Sequence, residues 1–447
     1  MIKLIHNTLR RLLTHDGLKK YGVNISWLFF EKFVRMAIGF SVGIYVARQL
    51  GPANYGILNY ALSYVGIFAI VAGLGLDSIV VRELVRTPEK KEELLGSAFL
   101  LRITGFIVML AGASGGLVFS NNDQSTNIIV LVIAGGYLFQ SLQVIDFYFQ
   151  AEVKSKYVAL SQITALLIVS VFRLYFAYYV FPLLYFAIIE SAYIAITFIL
   201  YVFFYVSSGN NIRNWKYKFN TALALMKSSW PLLLSGVAGM IYMRIDQVMI
   251  KSMLGDAEVG YYAVAVRLVE IWYFIPMIIC SSLFPAIIRS KDVSEQHYER
   301  RVQKLVTLNL ILSAAIILST LLLGHYIVRV LYGESYLKSA SILCIYIWVI
   351  VMVSFGVVRS KWLITEKLEY QFIICGLAGI ICNVGLNYLL IRRIGLEGAC
   401  YATVISQTLT ALIIPLFMKK GGLSAALFFN LIYFKKYNHL KENKLKT

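Results

Sequence analysis

Residues 50–61 read Leu-Gly-Pro-Ala-Asn-Tyr-Gly-Ile-Leu-Asn-Tyr-Ala, and residues 254–265 read Leu-Gly-Asp-Ala-Glu-Val-Gly-Tyr-Tyr-Ala-Val-Ala. Five positions match at one offset: Leu50, Gly51, Ala53, Gly56 and Ala61 with Leu254, Gly255, Ala257, Gly260 and Ala265. Each stretch links two long apolar segments, so the chain is predicted to contain two copies of one membrane unit. Transporters are often built from such repeats, with the substrate path at the repeat interface.

Composition favours a membrane protein over a soluble one. Hydrophobic residues make up 59% of the 447 residues and charged residues only 15%, too few to coat a soluble globule of this length. Lipid then serves as solvent for most of the surface. The net charge of +19 is spread over segment ends, which argues against a nucleic-acid partner. The five cysteines lie in apolar runs without a CxxC pair, and the five histidines are scattered, so no metal site is predicted.

Apolar segments of about 20 residues are long enough to cross a bilayer as helices. We predict an all-α integral membrane protein with twelve such spans, at residues 24–47, 56–80, 94–118, 128–150, 157–180, 183–206, 230–254, 259–288, 304–328, 339–363, 370–391 and 397–418. The predicted regions are a basic amphipathic N-terminus (1–22), a first six-helix lobe (23–206), a linker (207–229), a second six-helix lobe (230–418) and a basic tail (419–447).

The distribution of Lys and Arg predicts the topology. With the N-terminus in the cytoplasm, and with Lys251, Lys304 and Lys361 at the span ends counted with the adjoining links, the inside segments hold 29 of the 42 basic residues and the outside links hold six. This bias favours cytoplasmic N- and C-termini, which an even number of spans also requires. Because each half has six helices, both halves begin on the same side. The repeats are therefore predicted to be parallel, around a central cavity.

Ionisable residues inside the predicted spans indicate function, because a charge in lipid is costly unless it pairs or faces water. Apart from Lys251, Lys304, Lys361 and Glu397 at the span ends, seven are bases and six are acids: Lys32, Arg35, Arg102, Arg173, Arg244, Arg267 and Arg359, and Glu31, Asp77, Asp146, Glu190, Asp246 and Glu270. Counting residues from each hairpin turn shows which side chains share a depth in the membrane. In the first half it predicts two pairs at equal depth, Arg173 with Glu190 and Arg102 with Asp146. Arg359 lies near the cytoplasmic end of its span and Asp77 lies close to Arg82, so snorkelling or a pair at the helix end explains them more simply.

In the second half, the same counting places Asp246 level with Arg267 and Arg244 level with Glu270. Arg267 and Glu270 also share a helix face by their i,i+3 spacing. Four charges at one depth predict a hydrated interior, and we expect Arg244 and Arg267 to contact substrate. Asp246 and Glu270 are expected to tune them or to couple transport to H⁺ or Na⁺. Structural pairing remains the alternative.

The first predicted span carries three charges in five residues. Glu31 can pair with Arg35 at i,i+4, which leaves Lys32 without an obvious local partner. Arg35 falls near the midplane of the membrane. Arginine offers forked donors that suit a phosphate, so Lys32 and Arg35 are candidate contacts for an anionic substrate, with Glu31 in the same charge network.

Chemistry for catalysis is missing from the sequence. The segment Gly17-Leu-Lys-Lys-Tyr-Gly22 is followed by Val23, so it is not a phosphate-binding loop, and no catalytic Ser/His/Asp set or metal-ligand spacing occurs. The links between spans are short, whereas a membrane enzyme would need sizeable polar loops. We therefore predict a transporter without a catalytic residue or a bound cofactor.

Several motifs in order resemble the Wzx-type polysaccharide-transporter branch of the multidrug/oligosaccharidyl-lipid/polysaccharide exporter superfamily. They are Ala-Arg-Gln-Leu-Gly-Pro-Ala-Asn-Tyr-Gly at 47–56, Gly-Leu-Gly-Leu-Asp at 73–77, Val-Arg-Glu-Leu at 81–84, Arg-Ile-Asp-Gln-Val-Met-Ile at 244–250, Gly-Tyr-Tyr-Ala at 260–263 and Gly-Leu-Glu-Gly-Ala-Cys-Tyr-Ala-Thr at 395–403. The resemblance covers about residues 20–420 and implies a MATE-like fold of two six-helix lobes around a central cavity.

The resemblance also implies a function. Such proteins are flippases that move undecaprenyl-pyrophosphate-linked oligosaccharide repeat units from the cytoplasmic to the periplasmic leaflet of the bacterial inner membrane. Their products are O-antigen (in lipopolysaccharide biosynthesis), capsule or exopolysaccharide, and a polymerase and a chain-length regulator are the expected protein partners. Arg35, Arg244 and Arg267 are counterparts, by depth, of cationic residues that face the pyrophosphate. A cation-coupled multidrug exporter of the same fold, or a scaffold for polysaccharide enzymes, remains an alternative.

Overall fold

The computed structural model describes residues 15–292, 294–368, 370–418 and 427–428. These residues form helices joined by short turns, without a β-strand among them. Within the same residues, eleven stretches are long and apolar enough to cross a membrane. The first of them, 22–86, is 65 residues long and holds two predicted spans, which meet at a break at Gly51. The predicted all-helical, multi-pass membrane fold is therefore confirmed.

The chain divides into two compact units, Met1–Met240 and Ile241–Thr447. The helices of the first unit are α1 (His15–Gly73), α2 (Asp77–Arg86), α3 (Lys91–Val118), α4 (Gln124–Gly136), α5 (Val144–Ala151), α6 (Ser155–Tyr178) and α7 (Leu183–Ser207). Single 3₁₀ segments lie at Pro88–Lys90, Tyr137–Gln143 and Ile212–Asn214. The unit boundary falls within α8 (Phe219–Leu254), which begins inside the predicted linker 207–229.

The remaining helices belong to the second unit. They are α9 (Asp256–Glu270), α10 (Phe274–Arg289), α11 (Glu295–Tyr332), α12 (Lys338–Tyr346), α13 (Val349–Thr365), α14 (Tyr370–Ile394), α15 (Leu396–Thr408) and α16 (Ile414–Leu416). The 3₁₀ segments are Ile271–Tyr273, Ser290–Asp292 and Glu334–Tyr336, and a π-helical turn, Leu409–Ile413, joins α15 to α16.

The repeated Leu-Gly pair marks the same break in both halves. Gly51 has φ 70° and ψ 170°, and Gly255 has φ 99° and ψ −178°. This region of backbone space is essentially restricted to glycine, because a Cβ atom would clash with the backbone. Each break separates two membrane-spanning helices, so the repeat in sequence is matched by a repeat in backbone conformation.

Each unit has its own apolar core. In the first, Leu76, which immediately precedes α2, packs in one cluster with Leu95 of α3, Phe147 of α5 and Tyr201 of α7, and each of the four is at most 1% exposed. The turn that follows α1, at residues 74–75, packs tightly against α8, since a Cβ atom at Gly75 would lie 2.7 Å from the backbone nitrogen of Leu233.

The core of the second unit is built around Phe284, Val302 and Phe355. Leu427, from the predicted basic tail, joins it at 2% exposure, and the Phe428 ring lies 5.2 Å from that of Phe355. The rest of the predicted tail lies outside the described residues, as do residues 1–14 of the predicted N-terminal segment.

Candidate functional site

The first span carries an ion pair along one helix face. The Arg35 Nε lies 2.9 Å from the Glu31 Oε1, as the i,i+4 spacing predicts. The Glu31 side chain is 5% exposed, whereas that of Arg35 is 50% exposed. Lys32 is exposed, and its charge also acts on Glu31. The buried carboxylate therefore holds a guanidinium that is open on its other side.

A second ion pair joins α6 to α7. The Arg173 Nη2 lies 2.5 Å from the Glu190 Oε1, which confirms the predicted pair, and both side chains are about one-fifth exposed. Tyr193 follows Glu190 by three residues on the same face of α7. The charges of Glu31, Arg35, Arg173 and Glu190 all act on its hydroxyl. We call these five residues the first-unit charge cluster.

The predicted direct pair of Arg102 with Asp146 is wrong, although the charge of each acts on the other. Arg102 is 1% exposed, and its Nη1 lies 3.1 Å from the Asp77 Oδ1, while its Nη2 donates to the Gln143 Oε1 at 2.7 Å. The predicted end pair of Asp77 with Arg82 is also wrong, because Arg82 contacts Glu83 at 2.9 Å.

The physical reason is the turn at residues 74–75, where Leu74 and Gly75 both have positive φ. It starts the separate helix α2, which turns Asp77 towards α3. Counting depth along one continuous helix cannot represent that turn. Asp146 is buried, and its Oδ1 has no hydrogen-bond partner in the part of the chain that the structure describes.

Asp246 in α8 is the centre of a polar network within the second unit. It is 4% exposed and accepts hydrogen bonds from the Tyr262 hydroxyl at 2.8 Å, the Thr403 Oγ1 at 2.8 Å and the Asn387 Nδ2 at 2.6 Å. These donors come from α9, α15 and α14, so one carboxylate joins four helices. Neutral donors contact both of its oxygens, and the pair of Asp246 with Arg267 stays a prediction.

The network extends beyond the carboxylate. The Asn387 Nδ2 also donates to the Asn383 Oδ1 at 3.0 Å, and the Asn383 Nδ2 donates to the Ser406 Oγ at 3.3 Å. The hydroxyls of Ser406 and Tyr242 lie 3.1 Å apart. The sequence interpretation missed the asparagines because it considered only charged residues. Their i,i+4 spacing within an apolar segment was the available signal.

Arg244, Arg267 and Glu270 form a separate group. The charges of both arginines act on the Glu270 carboxylate, and all three side chains are partly buried. Arg244 and Asp246 are two residues apart, which turns them about 200° apart around a helix. The contacts described for the two acids differ, because neutral donors surround Asp246 whereas arginine charges act on Glu270. The network of all four charges stays a prediction.

These arrangements support two kinds of chemistry. Arginines within a membrane span can bind the forked oxygens of a phosphate or carboxylate. A buried carboxylate can bind a proton or a small cation, because either one neutralises a charge that is costly to bury. Both are properties of a transport site.

Comparison with known proteins agrees with this architecture. The family model described as "Polysaccharide biosynthesis protein" matches residues 22–291. The capsular polysaccharide biosynthesis protein CapF of Staphylococcus aureus is 22% identical over 394 residues, which cover 86% of this chain and 96% of CapF. A putative O-antigen transporter of Shigella flexneri is 22% identical over 393 residues, 83% of this chain and 91% of the transporter.

Among solved structures, the lipid II flippase MurJ has the same fold, with a TM-score of 0.69 at 15% identity over 95% of this chain and 90% of MurJ. An inward-facing MATE-family multidrug transporter has it too, with a TM-score of 0.69 at 15% identity over 90% of this chain and 98% of the transporter. The MATE-like fold class is confirmed. The family match covers more than half of the sequence, so the chain belongs to the polysaccharide biosynthesis protein family of membrane proteins.

Proposed function

We propose that this protein is a flippase that moves undecaprenyl-pyrophosphate-linked oligosaccharide repeat units across the bacterial inner membrane, from the cytoplasmic to the periplasmic leaflet. Membership of the polysaccharide biosynthesis family supports this proposal, as does the similarity to a protein named as an O-antigen transporter. The product is the O-antigen, capsule or exopolysaccharide of the host. On this proposal the protein is a transporter and carries out no covalent chemistry.

The observation that carries the proposal is an arginine open to its surroundings inside a membrane span. Arg35 is half-exposed within the span 22–86, although charge is costly there. We propose that Arg35 and Lys32 bind the pyrophosphate in the first unit. Arg244 and Arg267 bind it in the second unit, where Glu270 moderates their charge.

Coupling to an ion gradient is assigned to the carboxylates. Asp246 is buried, and a buried carboxylate is costly unless its charge is compensated, so we propose that a proton or a sodium ion binds to it in competition with its three neutral hydrogen-bond donors. Glu270 and Glu31 are the other candidates. The protein partners proposed are the polymerase and the chain-length regulator, which act on the periplasmic product, and both termini of the chain lie in the cytoplasm.

Deletion of the gene in its host tests the function. We expect radiolabelled undecaprenyl-linked repeat units to accumulate while surface polymer disappears, and the wild-type gene to restore both. Arg35→Gln and Arg244→Gln should reduce surface polymer at least about tenfold at unchanged protein level, because each removes a fixed phosphate ligand. Arg82→Gln, an exposed arginine paired with its neighbour, is the matched control. Wild-type polymer from both test variants would remove these arginines from the mechanism.

A cation-coupled multidrug exporter is the second candidate, because a MATE-family multidrug transporter has the same fold at the same TM-score as MurJ. The two functions give opposite results in the deletion strain. An exporter would leave surface polymer normal and make the cells sensitive to drugs. A scaffold would leave the partner enzymes unassembled, whereas a transport-dead point variant of a flippase would leave their assembly normal.

A further inference from the structure

A buried arginine of the first unit lies near two aspartates and contacts only one of them. The Arg102 Nη1 lies 3.1 Å from the Asp77 Oδ1, and the side chain of Asp77 is 66% exposed. Asp146, in α5, is only 8% exposed. The guanidinium therefore neutralises the acid that water already reaches, and it leaves the buried acid without a direct ion pair.

The position of Arg102 does not account for this choice. Its Nη2 donates to the Gln143 Oε1 at 2.7 Å, and its Cζ lies 5.4 Å from the centre of the Phe147 ring. Gln143 has helical φ and ψ and leads directly into α5, so residues 143, 146 and 147 lie on one helix face. Arg102 thus lies beside the face that carries Asp146. Yet the Arg102 Nε and the Asp146 Oδ1, both buried, lack a hydrogen-bond partner among the described residues.

The charges around Asp146 are too few to compensate a second carboxylate. The titratable groups that face it are Asp77 of α2, Arg102 of α3 and Tyr201 of α7. Its own helix adds the neutral side chain of Gln150, and α6 adds the Gln162 amide, which donates to the Tyr201 hydroxyl at 2.8 Å. One guanidinium neutralises one aspartate. Water can solvate the other only at Asp77, because a buried carboxylate without a cation favours its neutral form.

We propose that Asp146 is a proton-binding site, and that its proton decides which aspartate Arg102 holds. With the proton on Asp146, Arg102 binds Asp77, which is the arrangement in the structure. When Asp146 releases the proton to water, Arg102 turns to the new carboxylate and Asp77 is left to solvent. One proton and one ion pair are exchanged, and no covalent bond to carbon changes. This site goes beyond the proposed function, because it does not depend on what the protein transports.

The exchange acts on α2. Asp77 is the first residue of that helix, and its contact with Arg102 ties the start of α2 to α3. Ile79, Val80 and Leu84 keep the rest of the helix in the apolar core. Loss of the tie therefore loosens α2 without unfolding the unit, and hydrogen exchange of its amides reports which aspartate Arg102 holds.

Infrared spectroscopy of the full chain in lipid nanodiscs tests for the proton, because a protonated carboxyl group and a carboxylate absorb at different frequencies. Above about pH 5 exposed aspartates are ionised. The difference spectrum between the wild type and Asp146→Asn should then contain the band of one protonated aspartate, which disappears as pH rises. Asp77→Asn should weaken that band at the same pH, because Arg102 can then turn to Asp146. Glu152→Gln, which removes an exposed acid 3.5 Å from the Lys154 Nζ, is the matched control and should keep it.

Hydrogen–deuterium exchange of α2 tests the change of partner, after correction for the pH dependence of intrinsic exchange. In the wild type, α2 should exchange about tenfold faster once Asp146 has lost its proton, because the ion pair that holds the helix is then broken. Asp146→Asn is neutral at every pH and should keep α2 protected throughout. Asp77→Asn should leave α2 less protected at every pH.

Three results would overturn the inference. The first is a difference spectrum without a protonated-aspartate band, and the second is equal pH dependence of α2 exchange in the wild type and Asp146→Asn. The third is an unchanged band in Asp77→Asn. This last variant changes a largely exposed side chain, so the test does not rest on the folding of Asp146→Asn.

Discussion

The chemistry available to each ionisable residue of this membrane protein depends on the side chains that contact it and not on its depth in the membrane. Glu31 and Asp246 are both buried acids within spans, yet one faces an arginine and the other faces a hydroxyl, a phenol and an amide. The first arrangement suits exchange of one anion for another. In the second, the hydrogen-bond donors stabilise the ionised carboxylate, and a proton or a cation must compete with them.

Thr403→Val tests how far the second unit depends on the Asp246 network. Valine keeps the shape of threonine but removes a donor to a buried carboxylate oxygen, which costs about 1–3 kcal/mol. We expect a clear fall in the melting temperature of the purified protein. Thr408→Val is the matched control on the same helix, because the Thr408 hydroxyl donates to the Val404 carbonyl of its own turn. Equal falls in the two variants would show that the contact with Asp246 adds nothing.

The sequence predicted two of the ion pairs because they follow local rules. Glu31 and Arg35 are one turn apart, and Arg173 and Glu190 flank a short hairpin. It did not predict the partners of Asp246, since Tyr262, Asn387 and Thr403 come from three other helices. Packing between distant segments decides which faces of the four helices meet. Counting residues from a hairpin turn gives the depth of a side chain in the membrane but not the helix face on which it lies.

At the scale of helices, close approach is the main constraint. Gly75 has φ 64°, and a Cβ atom there would lie 2.7 Å from the Leu233 nitrogen and 2.9 Å from the Ser229 carbonyl oxygen. Gly75→Ala should therefore push the turn at residues 74–75 away from α8 and lower the melting temperature strongly. Gly115→Ala, in α3, has no described atom within 4 Å of the added Cβ and should be neutral or stabilising by up to about 1 kcal/mol. A similar effect of both changes would contradict the packing argument.

The cap of α4 gives a prediction on pH. Asp123 accepts hydrogen bonds from the Thr126 backbone nitrogen at 3.2 Å and from the hydroxyls of Ser125 and Thr126, and these bonds lower the pKa of Asp123 to about 2. Since the pKa is lower in the folded state, the stabilisation is complete above the ordinary value of 3.8 and is lost as pH falls through about 2.

Asp123→Ala removes this cap and should cost about 1 kcal/mol. The loss in melting temperature relative to the wild type should stay constant between about pH 5 and 8, because the carboxylate is ionised throughout that window. The difference should shrink only in strong acid, which a series of thermal melts would reveal. A difference that already varies near neutral pH would mean that another group controls the cap.

For the whole molecule, the repeat is the organising feature. Gly51 and Gly255 occupy the same backbone region, and a Cβ atom added to either would have no described atom within 4 Å. Alanine at either position should therefore lower the free energy of unfolding only through backbone strain, by about 1–3 kcal/mol. The loss should be similar in the two units. Thermal melts of Gly51→Ala and Gly255→Ala, with Gly115→Ala as reference, check this. A large effect of one change alone would show that the two breaks are not equivalent.

The fold of the molecule was accessible from the sequence, because span length, charge bias and the repeated Leu-Gly pair are each local or statistical signals. Fold alone does not separate a flippase from a drug exporter, since MurJ and a multidrug transporter fit it equally. Distinguishing the two functions depends on which side chains contact one another within each unit. Those contacts are determined by packing between residues far apart in the sequence.

The paired carboxylates of the first-unit charge cluster also set a threshold for occupancy. Each of the two arginines carries its own counter-charge, so an incoming anion must displace a carboxylate before it can bind either guanidinium. That carboxylate is a tethered rival, whose local concentration is high because it is part of the same chain. A weakly binding anion is therefore excluded, and occupancy requires an anion that pairs with arginine more strongly than a carboxylate does. Selection at these arginines would then come from the rivals, without any pocket shaped around the ligand.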